Sequence, residues 1–258
     1  MDTDSSISDE ENMIKDIGGD DEKGDGGKDD SKEEAADVFN SIKFKGPKQH
    51  APTKNGYSPD SSDIKVIDDS IDAPLGVVFG LLFGDDTSVL GKIIKLQKNI
   101  DISDIPKFDS STQSRNYSYV KPLNAPIGPK QTKCLINESI KKADFEDSCH
   151  VLQTIETPDV PSGNAFKVLT KFYLSWGPNN STKILIMTQV VWTGKSWIKG
   201  PVEKGSISGQ QEALPILVSE IKKKIAEGTP KRKPSSSTRP KIKHKKSKKS
   251  AKPAVEEE

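Results

Sequence analysis

The 258 residues hold 30% charged and 32% hydrophobic side chains at a mean hydropathy of -0.64, too polar a balance for the whole chain to pack into one core. The net charge of +1 hides an acidic first stretch and a basic last one: residues 1–37 net −11, residues 229–258 net +8, and the body between them +4. The longest apolar run, residues 75–83, is far shorter than the roughly 20 residues that span a bilayer, which excludes a membrane-spanning helix here and predicts a chain soluble by itself.

Residues 1–37 are rich in Asp, Glu, Gly and Ser and poor in large apolar side chains, so burial cannot offset the entropy of ordering them. They are predicted to be a disordered acidic linker. Residues 38–63 open with VFNSIKF, a short helix or strand, and continue as turn chemistry (GPKQHAPTKNGYSPDSSD), a mostly irregular extension. From Ile64 the texture changes. Ile64, Val66 and Ile71 mark a short strand, and Asp72 is a candidate N-cap for a helix opening at Pro74, where a missing N–H costs nothing. Residues 74–83 (PLGVVFGLLF) are apolar all round and predict a buried helix. Thr87 or Ser88 then caps a second one, with Val89, Leu90, Ile93, Ile94 and Leu96 on one stripe. The two short helices read as a clasp at one end of a sheet.

Strands follow, marked by alternation over residues 115–123, 132–141, 149–156, 166–176 and 183–193, with a further short strand expected around Trp197. Residues 183–193 (KILIMTQVVWT) are apolar on both faces, as in a strand covered on each side. Residues 206–227 form an amphipathic helix, with Ile207, Leu214, Leu217, Val218, Ile221 and Ile225 at three- and four-residue spacings, and Pro215 either kinks it or marks its real start near Gln211. The fold class is α+β: a curved antiparallel sheet wrapped on a long terminal helix over residues 64–228, an arrangement that can leave an apolar cavity. Cys134 and Cys149 are expected to be reduced thiols in a cytosolic setting.

The segment DAPLGVVFGLLFGDDTSVLGKI (72–93), followed by YVKPLNAPIGPKQTKC (119–134), resembles the StART-like VASt domains. Within these it is most similar to the second such domain of the yeast LAM proteins, whose animal relatives are the Aster proteins. The resemblance implies a helix-grip fold, a deep apolar cavity and non-enzymatic transfer of sterol between endoplasmic reticulum and plasma membrane at contact sites. The alternative is a protein-interaction or lipid-sensing domain of the same fold. The resemblance also implies a loop gating the cavity, with Pro122, Leu123, Asn124, Ala125, Pro126, Ile127 and Gly128 at the matching place and Lys121 at the entrance. LAM proteins also carry a GRAM domain, a further StART-like domain and a membrane anchor, so the chain is expected to be a fragment and the domain a monomer.

For a sterol cargo the wall candidates are Phe172, Leu174, Trp176, Met187, Val191, Leu214 and Val218. Gln153, Thr188 and Gln189, polar positions in apolar strands, are candidates to meet the single hydroxyl, which would cost about 1–3 kcal/mol if left unpaired. Gly209 near the start of the last helix would let a ligand approach the backbone. His50, His150 and His244 are scattered, and no nucleophile, metal or phosphate motif is present, so no enzyme, metal or cofactor is expected. Glu138 with Asp144 or Glu146 reads as surface charge. The stretch KRKPSSSTRPKIKHKKSKK in the disordered tail 229–258 resembles a nucleic-acid arm, a nuclear localisation signal and a juxtamembrane polybasic segment. The absence of interleaved aromatics and the family together favour an anionic membrane, met by this tail and the domain surface, over nucleic acid.

Overall fold

The computed structural model describes residues 44–123 and 129–228. The order is β1 (Ile64–Ile71), α1 (Leu75–Phe83), α2 (Ser88–Leu96), β2 (Ser114–Pro122), β3 (Gln131–Ala143), β4 (Ser148–Glu156), β5 (Phe166–Trp176), β6 (Thr182–Trp192) and α3 (Lys199–Gly228). All six strands pair antiparallel in one sheet of order β1-β6-β5-β4-β3-β2. The chain takes a helix-grip architecture, the sheet's inner face closing on α3 with α1 and α2 between them.

Period-two alternation sets the inner face. Register puts Val168, Phe172 and Leu174 of β5 beside Val190, Ile186 and Ile184 of β6, and these pack with Leu75, Val77 and Val78 of α1 and Leu217, Val218 and Ile221 of α3 in one core. Residues 50–63 cross the outer face of β4 and β5. The Thr53 amide donates to the Trp176 carbonyl at 3.0 Å, Lys171 reaches Asp63 at 2.8 Å, and Tyr57 sets its edge against Tyr173, their rings 5.2 Å apart. β6 is apolar on both sides, and its outer-face Leu185 and Met187 are buried, yet outside the main core.

Four local expectations are corrected. Pro74, not Asp72, is the N-cap of α1, and its extended backbone (φ -55°, ψ 149°) turns the carbonyl toward the amides of Val77 and Val78. At α2 neither Thr87 nor Ser88 caps through its side chain; Asp86 Oδ1 accepts the Ser88 amide at 3.0 Å, and Thr87 donates to the Ile105 carbonyl instead. No strand forms around Trp197, which sits in the turn into α3. The last helix starts at Lys199, ahead of both predicted starts, and runs through Pro215. Pro215 faces solvent, so its ring meets no packed neighbour, while Leu214, Leu217, Val218, Ile221 and Ile225 hold the helix on the core.

Candidate functional site

Between the inner face of β2–β5 and the three helices lies a cavity of about 50 Å³. Tyr117, Tyr119, Ile155 and Phe172 line it from the sheet, Leu82, Phe83, Leu90 and Ile94 from α1 and α2, and Ala213, Leu214 and Leu217 from α3. α2 and α3 present their apolar stripes here because their opposite faces are solvated, whereas α1 is apolar all round and buried.

One wall is polar. Register sets Arg115 of β2 opposite Glu138 of β3, both on the inner face, and Gln153 of β4 next in the row. The Arg115 Nε donates to Glu138 Oε2 at 2.6 Å; Tyr117 Oη and Gln153 Nε2 donate to Glu138 Oε1 at 3.0 and 2.9 Å. Arg115 Nη2 donates to the Leu82 carbonyl at the end of α1, and the guanidinium lies 4.4 Å over the Phe108 ring. Glu138 is 1% exposed and Arg115 2%, so the expected surface charge is a buried ion pair. The close pairing and the added hydrogen bonds counter much of the desolvation of the two charges, with Arg115 Nη1 left without a partner among the described residues. Burial, with the charge of Glu138 next, holds the Tyr117 hydroxyl well above its usual range and so keeps it a neutral donor. Further along the cavity Gln210 Oε1 accepts from Thr170 Oγ1 at 3.2 Å, and Gln97 Nε2 donates to the Ala213 carbonyl. This arrangement can seat an apolar body with a hydrogen-bonding group at one end.

Of the sequence candidates, Phe172, Gln153 and Leu214 line the cavity. Met187, Gln189 and Val191 do not: they pair with Lys171, Leu169 and Lys167 on the outer face, one register step from Thr188 and Val190, which point inward. Thr188 is spent on the sheet, donating to the Leu169 carbonyl at 3.1 Å. Leu174 and Trp176 face inward but lie toward the β5–β6 turn, where the Trp176 indole N–H donates to the Phe145 carbonyl. Val218 packs in the core beside a separate surface groove with Ile67 and Lys222. Gly209 faces Lys121: a Cβ there would sit 3.6 Å from the ammonium. Lys121 and Leu123 are half-buried and Pro122 is exposed. The Leu123 amide donates to the Lys130 carbonyl at 2.7 Å. Asn124, Ala125, Pro126, Ile127 and Gly128 lie outside the described residues, as do the acidic and basic tails and His244.

Sequence reasoning missed Arg115, Tyr117, Glu138 and Gln210. The signal existed for Glu138, a carboxylate alternating with Cys134, Ile136 and Ile140 on an apolar face. His50 lies near Trp176, and a His150 ring N–H at Nε2 donates to the Asn55 carbonyl (2.6 Å) beneath the outer covering, so neither reaches the cavity. Among the described residues no three His, Cys, Asp or Glu side chains converge as metal ligands, and no helix is long and apolar enough to cross a membrane.

Residues 65–209 match the VAD1 Analog of StAR-related lipid transfer domain (VASt). The chain is 33% identical over 192 residues to "Membrane-anchored lipid-binding protein LAM5" of Saccharomyces cerevisiae, covering 72% of this chain and 28% of that protein. It is 27% identical over 120 residues to human "Protein Aster-B", covering 45% and 16%. The chain thus matches under a third of the length of each of these relatives. Among solved structures it is similar to Ara h 8.0201 at a TM-score of 0.44 and 13% identity, over 64% of this chain and 97% of that one. With a family match over residues 65–209 and a one-third-identical relative across most of its length, the chain belongs to the VASt family of StAR-related lipid-binding domains.

Proposed function

We infer that the domain over residues 64–228 binds sterol and transfers it between membranes without chemical change, working in a longer protein at contacts between endoplasmic reticulum and plasma membrane. The observation that carries this reading is an apolar cavity whose one polar wall is the Glu138, Tyr117 and Gln153 cluster. A sterol matches that division, a fused apolar ring system with one hydroxyl. Burying the rings stabilises a complex by about 25 cal/mol per Å² removed from water. The hydroxyl would join the cluster as one more partner of Gln153 or Tyr117. Sites for ligands of this size hold roughly 300–1,000 Å³. Loading therefore requires α2 and α3 to move off the sheet, at the margin where Gly209 faces Lys121. The acidic linker and basic tail are read as flanking segments, the latter attracted to anionic lipid together with the domain surface. The cargo is the sole small molecule in this reading, with no cofactor, no nucleic acid and a monomeric domain.

The test is transfer of a fluorescent sterol between two liposome populations by residues 38–228. Wild type is expected to accelerate it, and Gly209→Arg, which sets a second cation against Lys121, to slow it about tenfold with the melting curve retained. Binding of another lipid without sterol transfer overturns the cargo and keeps the cavity. The small present volume favours a second reading, a closed lipid-sensing or protein-interaction domain, and no lipid uptake at all would select it.

A further inference from the structure

The turn between β6 and α3 presents a side chain with no structural use. Trp197 is 95% exposed, against 54% for Leu96, the next most exposed large apolar residue described. Its backbone is held firmly. The amides of Thr193 and Gly194 both donate to the Ala165 carbonyl, Ser196 Oγ pairs with Ser162 Oγ at 3.0 Å, and the same oxygen accepts the Ile198 amide at 3.2 Å. An indole is therefore displayed on a fixed platform, and little backbone freedom is left to lose when it binds.

Its surroundings are cationic. Lys195, Lys199 and Lys204 are exposed and form no ion pair with described residues; Lys199 lies 5.1 Å over the Trp192 ring, which leaves its charge in place. The nearby acid, Glu203, is turned to the Trp192 indole N–H at 2.7 Å. The turn also sits at the sheet end that carries the cavity margin, where β2 ends at Pro122 and β6 at Trp192. Gly209 is ten residues along α3 from Lys199, about 15 Å at the helical rise.

We propose that Trp197, flanked in the chain by Lys195 and Lys199, is a membrane anchor that seats this end of the domain in the headgroup layer of an anionic bilayer. A lone exposed ring is far too small for a specific protein interface of roughly 1,600 Å². It does suit a lipid surface, since the amphipathic indole favours the headgroup level and each lysine near anionic lipid adds about fivefold to binding. Docking here would lay the first half of α3, which has no buried residue before Leu214, along the bilayer. The proposal rests on the membrane-facing part of the functional reading and not on the cargo.

The experiment uses the full chain with phosphatidylcholine vesicles, with and without phosphatidylserine, their acyl chains brominated to quench nearby indoles. Wild type is expected to be quenched on phosphatidylserine vesicles and Trp197→Phe to lose most of that quenching, because Trp176 is buried and Trp192 half-buried. Trp197→Ala should weaken vesicle partition about tenfold, and Lys195→Glu with Lys199→Glu at least as much. The basic tail is present in every variant and cancels from the comparison. Equal quenching and equal partition with and without the ring overturn the proposal and leave Trp197 to a protein partner. Sterol binding in the absence of vesicles should match wild type in Trp197→Ala, so loss of docking and failure of the sterol reading are read separately.

Discussion

Glu138 shows how one residue can tie cavity, sheet and helix together. Its carboxylate draws Arg115, Tyr117 and Gln153 onto one point, and Arg115 passes the connection to the last turn of α1 through Leu82, where a helix has carbonyls without partners. Removing one partner of such a buried pair leaves the other charge uncompensated at a cost of about 3–5 kcal/mol. Glu138→Ala and Arg115→Met are each expected to lower the melting temperature by about 10 °C, and the double variant Arg115→Met with Glu138→Leu to recover most of it. Additive losses in the double variant would show the pair to be unlinked. The two buried thiols set a pH limit. Burial pushes Cys134 up to about 11 and Cys149 up to about 12, while a thiol in the unfolded chain ionises near 8.5. Between those values the unfolded chain has released protons that the folded one retains, so stability is complete below about pH 8.5 and falls as pH rises toward the folded values. The urea midpoint should be level from pH 7 to 8 and decline by pH 10; a level profile through pH 10 would contradict this.

At the scale of elements, α1 is the most tightly fixed piece. It is apolar all round, seven of its nine residues are buried, and its start is pressed against the incoming chain, where a Cβ on Gly76 would overlap the Lys45 carbonyl. Neither partner can yield cheaply, since one is a packed helix and the other is backbone. Gly76→Ala is expected to cost about 1–3 kcal/mol by overpacking and to speed proteolysis within residues 44–63, read by urea melts and limited digestion. Unchanged stability would mean that this stretch does not bear on α1. Helices and strands alike were legible from periodicity, because each buries one stripe or one alternating set. Their margins were not, for a physical reason: α3 begins at Lys199 but buries no residue before Leu214, so no apolar stripe marks its start. The cap of α1 passed to Pro74 because a carbonyl, not a carboxylate, meets the first amides.

For the whole molecule, the deciding feature is that the middle strands β4 and β5 carry unlike layers on their two faces. The inner layer is helical and leaves the cavity; the outer is the irregular stretch through Thr53, Tyr57 and Asp63, whose sequence reads only as turns. Met187 and Gln189, chosen as cavity residues, lie buried on the outer face, away from the cavity, because register turns them there. A strand apolar on both faces declares that both are covered, and says nothing about which cover is hollow. Fold class, family and the order of elements were legible in the chain, because hydrophobic period and local motif are written in neighbouring residues. Which face of β6 looks inward, the meeting of Glu138 with Arg115 and the exposure of Trp197 emerge from the folded arrangement. Those facts depend on register and on contacts between residues far apart in the chain, which no local pattern encodes.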